Sequence, residues 1–171
     1  MRSASLAALA LLFIVGCGGG EHTPPPFSVV DGDEVRRAVV AYRGQVVMLN
    51  VWATWCEPCR KEFPAIVSLD SIYRNRGLRV LTVSVDEPED VGEKVRPFIR
   101  RMRAQFPVWI KGPGDPMRFM ARVDSALTGA LPQTIIYDRN GNRAHVLTGE
   151  QTLISLRSII DPLISRGSRL D

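Results

Sequence analysis

The chain has 171 residues, 45% of them apolar and 23% charged, with a net charge of +4. That length supports one domain whose core needs no staples, and the composition is unexceptional. The basicity comes from arginines spread along the sequence with no aromatic-interleaved patch, which argues against a nucleic-acid partner.

The first residues do not read as part of a fold. Arg2 precedes an apolar run from Leu6 to Val15, about half the length needed to span a hydrocarbon core. A basic start, a short apolar stretch and a small residue have the anatomy of a secretory signal. "IVGC" resembles the lipobox of bacterial lipoproteins, in which the sulfur of the matching residue, Cys17, takes a lipid and becomes the new N-terminus. An ordinary signal peptide with an incidental cysteine is the alternative. The chain holds three cysteines, so pairing Cys56 with Cys59 leaves one over, and lipid at Cys17 gives it a role. "GGGEHTPPP" then reads as a tether of flexible glycines and stiff prolines, reaching about 25 to 30 Å when stretched. His22 within it is expected to be solvated. The expected division is residues 1–16 as signal, 17–26 as lipid-anchored tether and 27–171 as the folded domain, held on a membrane outside the cytoplasm.

From Phe27 onward no repeat and no second linker interrupt the chain. "GDEVRRAVVAYRG" suggests a short helix or turn. Val46 to Val51 is almost continuously apolar, as in a central strand covered on both faces. A helix follows, with Phe63, Ile66, Leu69 and Tyr73 stepping by three and four and Gly77 closing it. "LRVLTVSVD" is a second strand, and strand, helix and strand in this span make a βαβ unit. A charged helix is expected over 90–104, then a short strand "FPVWI", a turn at "KGPGDP" and a helix over 117–123. "TIIYDRNGNRAHVLTG" reads as a hairpin turned at Asn140–Gly141. The last helix carries Leu153, Leu156, Ile159 and Ile160 on one face.

The stretch "NVWATWCEPCRKEFP" carries the chemistry. A structural zinc site needs four ligands, and the chain offers one Cys-x-x-Cys pair and two isolated histidines, His22 and His145, so no metal is expected. A purely structural disulfide over so short a loop removes little unfolded-state entropy. The redox reading has positive support. Cys56 stands where a buried strand gives way to a helix, so unpaired N–H groups and the positive end of the dipole favour its thiolate. Arg60 and Lys61 add positive charge. Pro58 in the first turn costs no hydrogen bond. Cys59, one turn in, can attack a mixed disulfide at the first sulfur. A Cys-x-x-Cys beside a βαβ unit reads as a thioredoxin-like redox motif.

"VVMLNVWATWCEPCRKEFP", down to Pro64, resembles the TlpA/ResA-type branch of the thioredoxin superfamily, and the likeness continues through "ALPQTIIYDRNGN" to about Ile164. The resemblance implies an α/β thioredoxin-like fold: a mixed central sheet flanked by helices, with an added helix–strand insertion before the cis-proline hairpin. It implies that Pro132 is cis and packs against the cysteine pair, and that Leu131 offers backbone groups to a substrate strand. Trp55, Glu57 and Pro58 complete the expected substrate contacts, with Trp52 as a flanking surface. Asn50 stands where thioredoxins carry a buried aspartate. Glu62, on the helical turn after Cys59, is therefore the candidate to accept the Cys59 proton; a solvent-facing glutamate paired with an arginine is the plainer alternative. Glu57 replaces a common glycine and opposes the Cys56 thiolate against the dipole and Arg60. Gln133 follows Pro132 where threonine is common. The arginines of "RPFIRRMRAQF" read as a solvated helix face.

The implied activity is reduction of extracytoplasmic protein disulfides, for example in cytochrome c maturation, with no cofactor. A membrane thiol reductase of the CcdA/DsbD kind would supply electrons. Two rivals share features of the pattern. A peroxiredoxin would need threonine at position 53, which is Ala53. A Sco-like copper-delivery lipoprotein would need Cys-x-x-x-Cys and a distal histidine with its own motif, and His145 sits on a predicted strand without one.

Overall fold

A computed structural model describes residues 27–167. The expectations for residues 1–26, including Cys17 and the tether, lie outside the described residues. Among those described, no helix is long and apolar enough to cross a membrane.

Asp31 opens the first helix, α1 (Gly32–Ala41), through a capping box: its carboxylate accepts from the Glu34 N–H and Glu34 returns the contact to the Asp31 N–H, both at 2.7 Å. Two of the helix's orphan donors are satisfied in this way. The apolar run predicted as a central strand is β2 (Val46–Trp52), with all seven residues buried. It lies between β3 (Leu78–Ser84), parallel to it, and β5 (Gln133–Tyr137), antiparallel. The six-stranded sheet runs β1-β4-β3-β2-β5-β6, where β1 is Val29–Val30, β4 Val108–Lys111 and β6 Arg143–Thr148. The expected mixed sheet flanked by helices is what forms.

Helix α2 (Glu57–Tyr73) connects β2 to β3, with Pro64 inside it. It packs against α5 (Leu153–Gly167) and α3 (Val95–Met102), while α1 packs against α4 (Pro116–Val123). The α1–α4 approach is close: a Cβ on Gly32 would stand 2.6 Å from the Phe119 carbonyl oxygen. Under the sheet's C-terminal edge Trp52, Phe63 and Phe98 stack within 4.7 to 5.2 Å of one another.

Four expectations need correction. The helix predicted over 90–104 is a 3-10 turn, Pro88–Val91, followed by α3, because Pro88 starts a tight turn and Gly92 is a poor helix former. Gly77 does not cap α2: the helix ends at Tyr73 with Arg74 as its C-cap, and Gly77, at φ 93°, turns the chain into β3. The hairpin reverses through residues 138–142, longer than a two-residue turn, because the Asp138 carboxylate gathers the N–H groups of Asn140 and Asn142. Trp52 offers no docking surface, being fully buried in the aromatic cluster.

Candidate redox site

The polypeptide leaves β2 at Trp52 and turns through Ala53–Trp55 before α2 begins. Asp86, 1% exposed just past β3, clamps this turn by accepting from the Thr54 N–H at 2.8 Å, the Thr54 hydroxyl and the Ser84 hydroxyl. From the other side Arg60 Nη1 donates to the Thr54 carbonyl at 2.7 Å. Trp55 is left 64% exposed, directly ahead of the first cysteine.

Cys56 is the N-cap of α2, and its Sγ accepts from the Cys59 N–H at 3.2 Å. The sulfur thus sits where the helix presents an unpaired donor and its positive end, the environment that favours thiolate. The two cysteines are joined as a disulfide, with Cys56 7% exposed and Cys59 1%. Pro58 lies in the first turn. Glu57 is drawn away from the sulfur to Lys61 at 2.9 Å, an exposed pair in which the lysine's hydrogen bond and charge hold the carboxyl below its usual range. Lys61 is thereby committed to Glu57, whereas Arg60 spends one nitrogen on the turn.

Glu62 is not a surface residue. It is 1% exposed; Oε1 accepts from Asn50 Nδ2 at 3.0 Å and Oε2 from the Gln151 N–H at 3.2 Å. Burial pushes its pKa up to about 7, the nearby Glu150 charge pushes the same way, and the Gln151 N–H opposes both. Asn50 spends its second amide hydrogen on Thr134 Oγ1 at 2.9 Å, leaving its own Oδ1 buried without a partner. The result is a buried carboxyl whose pKa lies near neutral, on the helical turn after Cys59.

The Leu131–Pro132 bond is cis, Pro132 is buried, and Leu131 is half-buried in a depression of about 210 Å³ that it shares with Trp55. Gln133 is buried: its Oε1 accepts from the Thr128 N–H at 2.9 Å and its Nε2 donates to the Ala126 carbonyl at 3.2 Å, tying down the loop before the cis bond. His145 is exposed on β6. No cluster of three metal-ligating side chains occurs among the described residues. Sequence reasoning missed Asp86, Thr134 and Gln151. The only available signal was an acid closing a β-branched strand at "SVD"; Thr134 and Gln151 gave none.

The model of the AhpC/TSA family matches residues 21–146. The thiol-disulfide oxidoreductase ResA of Geobacillus thermodenitrificans is 32% identical over 145 residues, covering 82% of this chain and 76% of that one. ResA of Geobacillus kaustophilus is 35% identical over 134 residues, covering 76% and 70%. Among solved structures, a putative thiol:disulfide interchange protein DsbE from Chlorobium tepidum superposes with a TM-score of 0.61 at 26% identity, over 74% of this chain and 84% of that one.

Proposed function

The chain belongs to the AhpC/TSA family and is a ResA-type thiol–disulfide oxidoreductase, and from that premise we propose that it reduces protein disulfides outside the cytoplasm through Cys56 and Cys59. The observation that carries the assignment of roles is the Cys59 N–H directed at Cys56 Sγ at the start of α2, with Cys59 the more buried sulfur.

In the reduced protein the Cys56 thiolate attacks one sulfur of a client disulfide. A bond forms between Cys56 and that sulfur, the client's sulfur–sulfur bond breaks, and the other client sulfur departs as a thiolate. Cys59 then gives its proton to Glu62 and attacks Cys56 Sγ. The mixed disulfide breaks, the second client sulfur departs, and the Cys56–Cys59 disulfide remains. Two electrons have passed to the client, and its two thiolates take up protons from Glu62 and solvent. An external dithiol restores the pair by the reverse exchange. Trp55, Glu57, Pro58, Leu131 and Pro132 form the surface over which the client backbone lies, with the backbone groups of Leu131 available for strand-like pairing.

The reading "IVGC" as a lipobox supports attachment through lipid at Cys17, after removal of residues 1–16, with residues 17–26 as a tether to the domain that follows. In that compartment a free dithiol persists only if electrons are supplied, which supports a membrane thiol reductase as donor and cytochrome c maturation as a setting. Cys56→Ser should abolish disulfide reduction, whereas Cys59→Ser should accumulate mixed disulfides. Full turnover by Cys59→Ser would overturn the two-cysteine mechanism. A midpoint potential near about −120 mV, that of strong dithiol oxidants, in place of one nearer about −270 mV, would overturn the reductive direction.

A further inference from the structure

Trp55, exposed and next to Cys56 in the chain, lines a depression on either side, and the two differ. One side is the depression shared with Leu131, lined also by Met117 and Met120, whose two carboxylates, Glu87 and Asp90, are both engaged by lysines at 3.3 and 3.0 Å. On the other side lies a groove of about 460 Å³ between Trp55 and α3. It is lined by Thr54, Pro97 and Phe98, with Arg60, Lys94 and Arg101 against one carboxylate, Glu93.

These cations are not equally committed. Lys94 is paired with Asp90. Arg60 uses one nitrogen on the Thr54 carbonyl, and the Arg101 guanidinium lies 5.6 Å from the Phe98 ring centroid. Neither arginine forms an ion pair among the described residues. Guanidinium groups held in position beside an apolar floor, one on a carbonyl and one on an aromatic face, keep donor forks free for carboxylates. The excess of positive charge is confined to the α3 side of Trp55.

We propose that the groove between Trp55 and α3 binds an acidic segment flanking the reactive cysteine of the client, with Arg60 and Arg101 as its carboxylate contacts. This rests on the disulfide-exchange reading and adds the substrate class to it. Rim charges of this kind act chiefly on association and lose their effect in salt.

The test uses the reduced full-length protein and three oxidised peptides that share one cysteine pair and differ only in their flanks: Asp-Glu, Ser-Asn or Lys-Lys. Uncharged hydroxyethyl disulfide is the fourth substrate. The acidic peptide should react about threefold to tenfold faster than the neutral one at low salt, with the lysine peptide slowest and the spread collapsing at about 0.5 M salt. Arg101→Gln should remove about threefold and Arg101→Glu about tenfold of the rate with the acidic peptide. Both variants should reduce hydroxyethyl disulfide at the wild-type rate. Equal rates with all three peptides, or an unchanged acidic-peptide rate in Arg101→Glu, would overturn the groove's assignment while leaving the exchange chemistry standing. Failure to reduce hydroxyethyl disulfide by the wild-type protein would overturn both.

Discussion

Changing Glu62 to glutamine separates the cost of burying a charge from the cost of burying a side chain. A carboxyl that ordinarily loses its proton at 4.5 here does so at about 7, chiefly through burial. At 1.36 kcal/mol per pH unit, that displacement amounts to about 3 kcal/mol. Below pH 4.5 the folded and unfolded chains both hold the proton, and the site costs nothing. Between 4.5 and about 7 only the folded chain holds it, so raising the pH favours unfolding. Above about 7 the folded protein carries the buried charge with its full penalty. Glutamine does not ionise and loses this slope. Both partners of the carboxylate, Asn50 Nδ2 and the Gln151 N–H, are donors, so glutamine's oxygen serves one and its NH₂ faces the other. Asn50 can rotate to present its unpartnered Oδ1, which confines the mismatch to about 1 to 2 kcal/mol at every pH. Urea unfolding of the oxidised protein and of oxidised Glu62→Gln, from about pH 4 to about pH 8.5, measures the difference. The variant should gain about 3 kcal/mol relative to wild type across the interval from 4.5 to somewhat above 7. Parallel stability curves would refute the reasoning.

Three further outcomes follow from the same geometry. Exchange by reduced Glu62→Gln should be slower and should lack the inflection near pH 7 expected of the wild-type pH–rate profile; an identical profile would remove Glu62 from proton transfer. Gly32→Ala should destabilise by about 1 to 3 kcal/mol, read as a lower urea midpoint, because its Cβ would meet the Phe119 carbonyl and Arg122 Cβ at 2.6 and 2.7 Å. Asp86→Ala strands the Thr54 N–H and should cost about 2 to 3 kcal/mol while slowing reduction of protein clients; unchanged stability would show that the clamp contributes nothing.

What could be read from the sequence was what local pattern encodes. The continuous apolar run of β2, the stepped apolar face of α2 and the cysteine pair between them are each legible within a few residues, and together they place the disulfide at the start of a helix. Glu62 was legible as a helical neighbour of Cys59, but not its burial. That depends on Asn50, 12 positions earlier, and on Gln151, 89 positions later, and no short window contains both. Asp86 was hidden for the same reason, its partner Thr54 lying 32 positions away. Arg60 and Lys61 were legible as charge but not by their attachments, since a hydrogen bond from one Arg60 nitrogen to the Thr54 carbonyl and an ion pair of Lys61 with Glu57 depend on rotamers. The division of the expected helix at 90–104 shows the opposite failure: charge pattern ran through Gly92 where backbone preference did not.

The antiparallel pairing of β2 with β5 also sets a timetable. Asn50 finds Thr134 across 84 positions, and Glu62 waits 89 for the N–H of Gln151. At about 5 to 20 residues per second, a growing chain displays its cysteines for roughly 4 to 18 s before those groups have been made. Once Ser84 has been made, β2, α2 and β3 can assemble as a local unit, yet Glu62 remains an ordinary wet carboxylate. The thiols exist before the partners that bury Glu62, and only docking of the late hairpin and of Gln151 brings these together. A chain halted ahead of Gln133 would carry the whole of the "CEPC" motif and none of the acid–base behaviour that surrounds it.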